Sequence, residues 1–259
     1  MRMMAQGAVA VYASTIENSA KDSRSTKHAR RNQTMPTTDK TISQTFEEFL
    51  SDQKARLSPS TYSKYDTIID LFKSYMESYW PGHDQDEYDR LTETGGKFCD
   101  SFGPEEITGG YSEFLGYFMP HKVMCGKETM KAAGTVTKKL AKWLADKGYA
   151  EDTSDAQELA KEATTDLPAA QDVLDVLETF VDMNAPDKYE DEIEDHFWIN
   201  KIEPGKLWLE PLTMCDGVIG PVPVPKEVTQ ICGEMWEIGG VVVKTKRGWR
   251  LLEVWKVSP

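Results

Sequence analysis

The hydrophobic period changes once along this chain, near residue 197, and that change predicts a helical body followed by a β module. Before it, apolar residues recur at three- and four-residue intervals; after it, they alternate and are often β-branched. "KLWLEPL", "VIGPVPV", "EIGGVVVKT" and "WRLLEVWKV" read as short strands separated by Pro and Gly turns. Several strands in about 63 residues predict a small closed or half-closed barrel, SH3-like or OB-like, which hides its strand edges. The prolines of "PVPVPKEV" place that segment on an edge, where a missing N–H breaks no ladder. The fold class expected is α+β.

The helical part resolves into segments with their own start and stop signals. "TISQTFEEFLSDQKARL" puts Ile42, Phe46, Phe49, Leu50 and Leu57 near helical spacing, with Ser43 or Thr45 available as cap. Ser58-Pro59 restarts the chain, Ser as N-cap and Pro at the first helical position. Tyr62, Tyr65, Ile68 or Ile69, Phe72, Tyr75 and Met76 then form a stripe that ends near Trp80-Pro81-Gly82. Residues 82–103 read as a polar connector with a short helix near Tyr88 and Leu91, and "GPEEITGGYSEFLGYFM" as a turn feeding a helix. A further helix is predicted from Lys127 to Lys147, stopped by Gly148, with Met130, Ala133, Val136, Leu140, Trp143 and Leu144 on its apolar face.

Four regions follow: a disordered tail at 1–41, a helical domain at 42–149, an acidic linker with one helix at 150–196, and a β-barrel at 197–259. The linker helix is expected to start at Pro168, and "APDKYEDEIEDHF" to be a charged connector. The tail is polar and Ser/Thr-rich, and Met35 stands just before the first helical pattern as an alternative translation start.

The net charge of −13 argues at first against nucleic acid, whose phosphates are bound by Lys and Arg. By segment the balance is +4 over residues 1–40, −4 over 41–150, −14 over 151–195 and +1 over 196–259, so one short stretch carries the acidity. Cys99, Cys125, Cys215 and Cys232 show no metal-ligand spacing and read as scattered reduced thiols of a cytoplasmic protein. No cofactor motif and no membrane-length apolar run is present in the sequence.

The segments "TFEEFLSDQKARLSPSTYSKYDTIIDLFKSYM" and "CGKETMKAAGTVTKKLAKWLADKGY" resemble the N-terminal core-binding domain of tyrosine recombinases, the phage-integrase family. The likeness implies a four-helix bundle forming half of a DNA clamp. It does not extend to the chemistry. That family needs an Arg, a Lys, a His-x-x-Arg pair, a further His or Trp, and a tyrosine nucleophile, in that order. After residue 150 this chain holds one tyrosine, Tyr189, and one histidine, His196; Arg247 and Arg250 both follow the tyrosine. The single His-x-x-Arg, His28 to Arg31, lies in the tail. The expectation is therefore a DNA-binding protein that is not an enzyme.

Duplex DNA would be met by Lys127, Lys131, Lys138, Lys139 and Lys142, most of which share one face of their helix, with Lys64 assisting. A second nucleic-acid surface is marked by Lys244, Lys246, Arg247 and Trp249. The bland alternatives stay open: a solvated lysine face, and a hairpin turn at Arg247-Gly248. So does a different function class, a scaffold that binds protein partners, with the barrel as the contact.

Overall fold

The computed structural model describes residues 40–79, 90–91, 93–213 and 217–259. The expected tail, the Met35 start, the His28–Arg31 pair, Tyr88 and Cys215 lie outside the described residues.

Helix α1 (Ile42–Lys54) starts one residue after Thr41, which caps it rather than Ser43 or Thr45. Thr41 Oγ1 accepts from Gln44 N at 3.3 Å while Gln44 Oε1 accepts from Thr41 N at 3.1 Å, a reciprocal capping box. Ser43 and Thr45 are buried instead, the Ser43 hydroxyl donating to Asp100 and the Thr45 hydroxyl to the Thr41 carbonyl. Thr41→Ala is expected to cost about 1 kcal/mol, read as a lower urea midpoint at unchanged slope. An unchanged midpoint would leave this cap without energetic weight.

Helix α2 (Pro59–Tyr79) begins where Ser58-Pro59 predicts, with Ser58 Oγ accepting from Thr61 N. Its stripe enters an aromatic core in which Phe72 stacks on Phe114 at 4.5 Å and meets Tyr111 edge-on at 5.4 Å. Glu77 near its end accepts from the backbone N–H groups of Phe98 and Cys99, capping the short α3 (Phe98–Ser101). Two 3-10 turns then lead into α4 (Tyr111–Glu113), a π turn (Phe114–Phe118) and α5 (Met119–Lys122). Helix α6 (Lys127–Lys147) ends at Gly148, in the left-handed region at φ 74°.

The acidic region departs from expectation. Helix α7 (Ser154–Asn184) is one continuous rod that passes through Pro168 rather than starting there. At about 1.5 Å per residue it is roughly 46 Å long. Ala156, Ala160, Ala163 and Leu167 bury its first half in the helical core, and Ala170, Val173, Leu177 and Val181 bury its second half against the sheet. It is thus a shared wall of both cores, not a linker.

The second departure is β1 (Asp191–Glu203), which begins in the expected connector. Ile193, Asp195 and Phe197 point inward while the intervening residues face out, so all of its early charges but Asp195 occupy the outer face of a strand. With β2 (Lys206–Pro211), β3 (Ile219–Pro223), β4 (Glu237–Thr245) and β5 (Gly248–Ser258) it forms an antiparallel sheet in the order β3-β2-β1-β4-β5. The short α8 (Val228–Ile231) lies between β3 and β4. Bulges in three of the four strand pairings bend the sheet until β3 approaches β5, giving a curled half-barrel.

Candidate functional site

Helix α6 presents the predicted row. Lys127, Lys131, Lys138 and Lys142 are exposed and Lys139 is half-buried, while Ala133, Val136, Leu140 and Leu144 face the core. The row is not uniformly free. Lys127 Nζ donates to both carboxylate oxygens of Asp172, at 2.7 and 2.5 Å, and Lys64 Nζ pairs with Glu128 at 3.1 Å. Lys147 at the end of α6 bridges Glu48 and Asp52 at 2.8 and 3.1 Å, which together with Lys40 and Tyr149 holds the Glu48 carboxyl down at about 2. Lys131, Lys138, Lys139 and Lys142 make no hydrogen bond or ion pair among the described residues.

The carboxylates arrive because α6 and α7 pack as an antiparallel hairpin. Gly134 sets their separation: a Cβ there would stand 2.5 Å from the backbone nitrogen of Thr164 and 2.8 Å from the carbonyl oxygen of Ala160. Six lysines against two acids give α6 +4, eight acids against Lys161 give α7 −7, and with Glu151 and Asp152 in the connection the hairpin carries −5. Its two rims are only a Debye length or so apart, so the lysine row is felt together with an acidic neighbour.

The second predicted surface is the β4–β5 hairpin tip. Lys244, Lys246 and Arg247 are exposed; Lys244 Nζ lies 5.5 Å from the centre of the half-buried Trp249 ring, and Arg250 donates to the Trp249 carbonyl. Asp191 sits directly opposite Lys244 on β1. The tip is therefore a compact hairpin with one stacked cation, and α6 lies in the other half of the molecule; the two predicted surfaces share no residue.

A cluster absent from the sequence reading lies where α5 meets the sheet. Glu237, 3% exposed, receives His196 Nδ1 at 2.6 Å, His121 Nε2 at 3.4 Å and Lys256 Nζ at 3.5 Å, all toward Oε1. His196, Gly239 and Lys256 are cross-strand neighbours on β1, β4 and β5. Gly239 is required there, since a Cβ would stand 2.7 Å from Trp255 Nε1 and 3.2 Å from His196 Cε1. The hydrogen bond to Glu237 raises the pKa of His196 against the opposing effect of burial. Lys256 lacks hydrogen-bond geometry to Glu237, and burial lowers its amine to about 7. Neighbouring Asp195 is also buried but fully engaged, accepting from His196 N, Thr213 N and Thr213 Oγ1. Beside the cluster a cavity of about 160 Å³ opens between α5, α7 and β5, with Pro120, Val123, Leu167, Leu174, Trp255 and Lys256 among its walls.

Among the described residues no group of three or more His, Cys, Asp or Glu is arranged to hold a metal ion, and no helix is long and apolar enough to cross a membrane. Cys99, Cys125 and Cys232 are free thiols, each with its pKa raised chiefly by burial. Compared with family models, curated proteins and solved structures, the chain matches none.

Proposed function

We propose that this chain is a non-catalytic DNA-associated protein that grips phosphates through Lys131, Lys138, Lys139 and Lys142. The observation that carries the reading is that these four ammonium groups lie along about 16 Å of one helix and, among the described residues, make no hydrogen bond or ion pair with a carboxylate. Lys64 and Lys127, expected to share the task, are spent on Glu128 and Asp172 and contribute little. Contacts of this kind position a duplex without reading its sequence. The likeness of α1, α2 and α6 to the clamp bundle of tyrosine recombinases belongs to the same proposal.

Four phosphate contacts predict a log–log salt slope of about −3.6, a loss of roughly 100-fold in affinity between about 50 and 200 mM salt. Fluorescence anisotropy with a labelled duplex measures it. Lys138→Glu with Lys142→Glu is expected to weaken binding at least about tenfold and to flatten the slope by about half. Lys127→Gln combined with Asp172→Asn, which removes both members of a neutral pair, is expected to change neither. A flat slope for the unaltered protein refutes the proposal.

A protein-binding scaffold is the second reading, favoured by the −5 charge of the α6–α7 hairpin and by the exposure of Met124 and Trp255 beside the cavity. It predicts the flat slope.

A further inference from the structure

We infer that the contact between His121 and Glu237 is a pH-operated latch that holds α5 against the sheet and closes the cavity between them. The position of the ring proton decides the sign of the contact. His121 Nδ1 lies 3.0 Å from the Tyr117 carbonyl oxygen, and a carbonyl only accepts, so Nδ1 donates. A neutral ring then points the lone pair of Nε2 at Glu237 Oε1, 3.4 Å away, and the two repel. Only the imidazolium carries an N–H at both positions and turns the contact into an attraction. With side chains 12% and 3% exposed, little water screens either case.

The other charged groups around Glu237 leave this role to His121. From β1, His196 bonds the same oxygen within the sheet, and Asp195 is spent on His196 and Thr213. From β5, Lys256 stands 3.5 Å away without a hydrogen bond. On α5 itself, the Lys122 ammonium sits over the rings of Tyr79 and Tyr117. Of the groups meeting Glu237 among the described residues, His121 is the one that comes from the helical half. It is also placed to act on the cavity, because Pro120 and Val123 flank it and form one wall, while Trp255 and Val257 flank Lys256 and form the opposite one. Helix α7 runs through both cores, so release frees α5 and the cavity mouth without parting the two halves.

The sign is fixed by the chemistry. The attraction is complete when His121 is protonated and is lost as rising pH removes the Nε2 proton. Hydrogen exchange of the intact protein, corrected for the intrinsic pH dependence of exchange, reads the latch directly. Amides of residues 119 and 121–125 are expected to lose about tenfold in protection between about pH 6 and pH 8, a larger change than in 193–199 and 254–258, which carry the titrating His196 and Lys256. In His121→Gln, which donates to Glu237 without titrating, the loss at residues 121–125 is expected to shrink to the small part that titration of His196 and Lys256 supplies. Unchanged protection in the unaltered protein, or an undiminished pH response in His121→Gln, overturns the latch. Should that variant fail to fold, nitrogen-15 spectra of the unaltered protein decide instead. They are expected to show His121 Nε2 losing its proton over the range in which protection falls; a ring neutral throughout, or one titrating elsewhere, overturns the inference.

Discussion

Gly134→Ala is expected to destabilise the protein by about 3 kcal/mol, although the same change in an exposed helix would gain roughly 1 kcal/mol from propensity alone. The reversal of sign comes from what the new methyl meets. Its nearest neighbours are the Thr164 nitrogen at 2.5 Å and the Ala160 carbonyl at 2.8 Å, both backbone atoms, with the Thr164 hydroxyl at 2.7 Å. A side chain can rotate aside, but a helix backbone moves only as a rod. Helix α7 would have to back away from α6, and Ala133, Thr137, Ala156, Ala160 and Ala163 would lose contact along the seam. The displacement would travel, because the same rod carries Val173, Leu177 and Val181 into the sheet core. Gly116→Ala is the control: nothing stands within 4 Å of the added methyl, so it is expected to be neutral or mildly stabilising. Urea denaturation of the three proteins checks both results. A stabilised Gly134→Ala variant would mean that the two helices do not approach at this point.

That seam also explains what the sequence disclosed and what it hid. Helix α6 was legible end to end, because its apolar stripe is long and Gly148 can adopt the left-handed conformation that ends it. The first half of α7 was not, since its buried face is written in alanines, which pack two helices closely yet hardly stand out as hydrophobic. Pro168 adds to the concealment, since it reads as a helix start; here it sits inside the rod, buried at the junction of the two cores. Strand β1 was masked in the same way, its inward Ile193 and Phe197 diluted by the charged residues that alternation sends outward. The lysine row was readable as a row, but its compensation was not, because Asp172 reaches Lys127 from 45 residues away. The Glu237 cluster left no spacing signal at all: its histidines lie on α5 and β1, its lysine on β5, and only the fold brings them together.

Within that cluster Lys256 is the residue the fold bears at a cost, and Lys256→Met is expected to raise stability at neutral pH by on the order of 3 kcal/mol. The amine is removed from water, yet among the described residues the one carboxylate in reach already takes a 2.6 Å hydrogen bond from His196, and at 3.5 Å Lys256 finds no aligned acceptor. Burial therefore outweighs attraction, and the amine falls to about 7 from an ordinary 10.5. The pH dependence follows from that displacement. Below about 7 the amine is charged in both states and the folded protein bears the whole penalty. Between 7 and 10.5 the unfolded chain binds the extra proton, so the stability of the unaltered protein rises with pH relative to the variant. The advantage of Lys256→Met is thus expected to be largest in mild acid and to vanish toward pH 10.5. His196 works in the opposite sense, its raised pKa giving stability that is complete below its ordinary value and lost as pH climbs through the raised one. Because both proteins keep His196, the difference between their curves isolates the lysine. Methionine matches the lysine stem in length, so the Trp255 and Val257 side of the cavity keeps its packing. Paired urea titrations at several pH values measure the difference, and a variant less stable than the unaltered protein at neutral pH would show that Lys256 is charged and held by Glu237 after all.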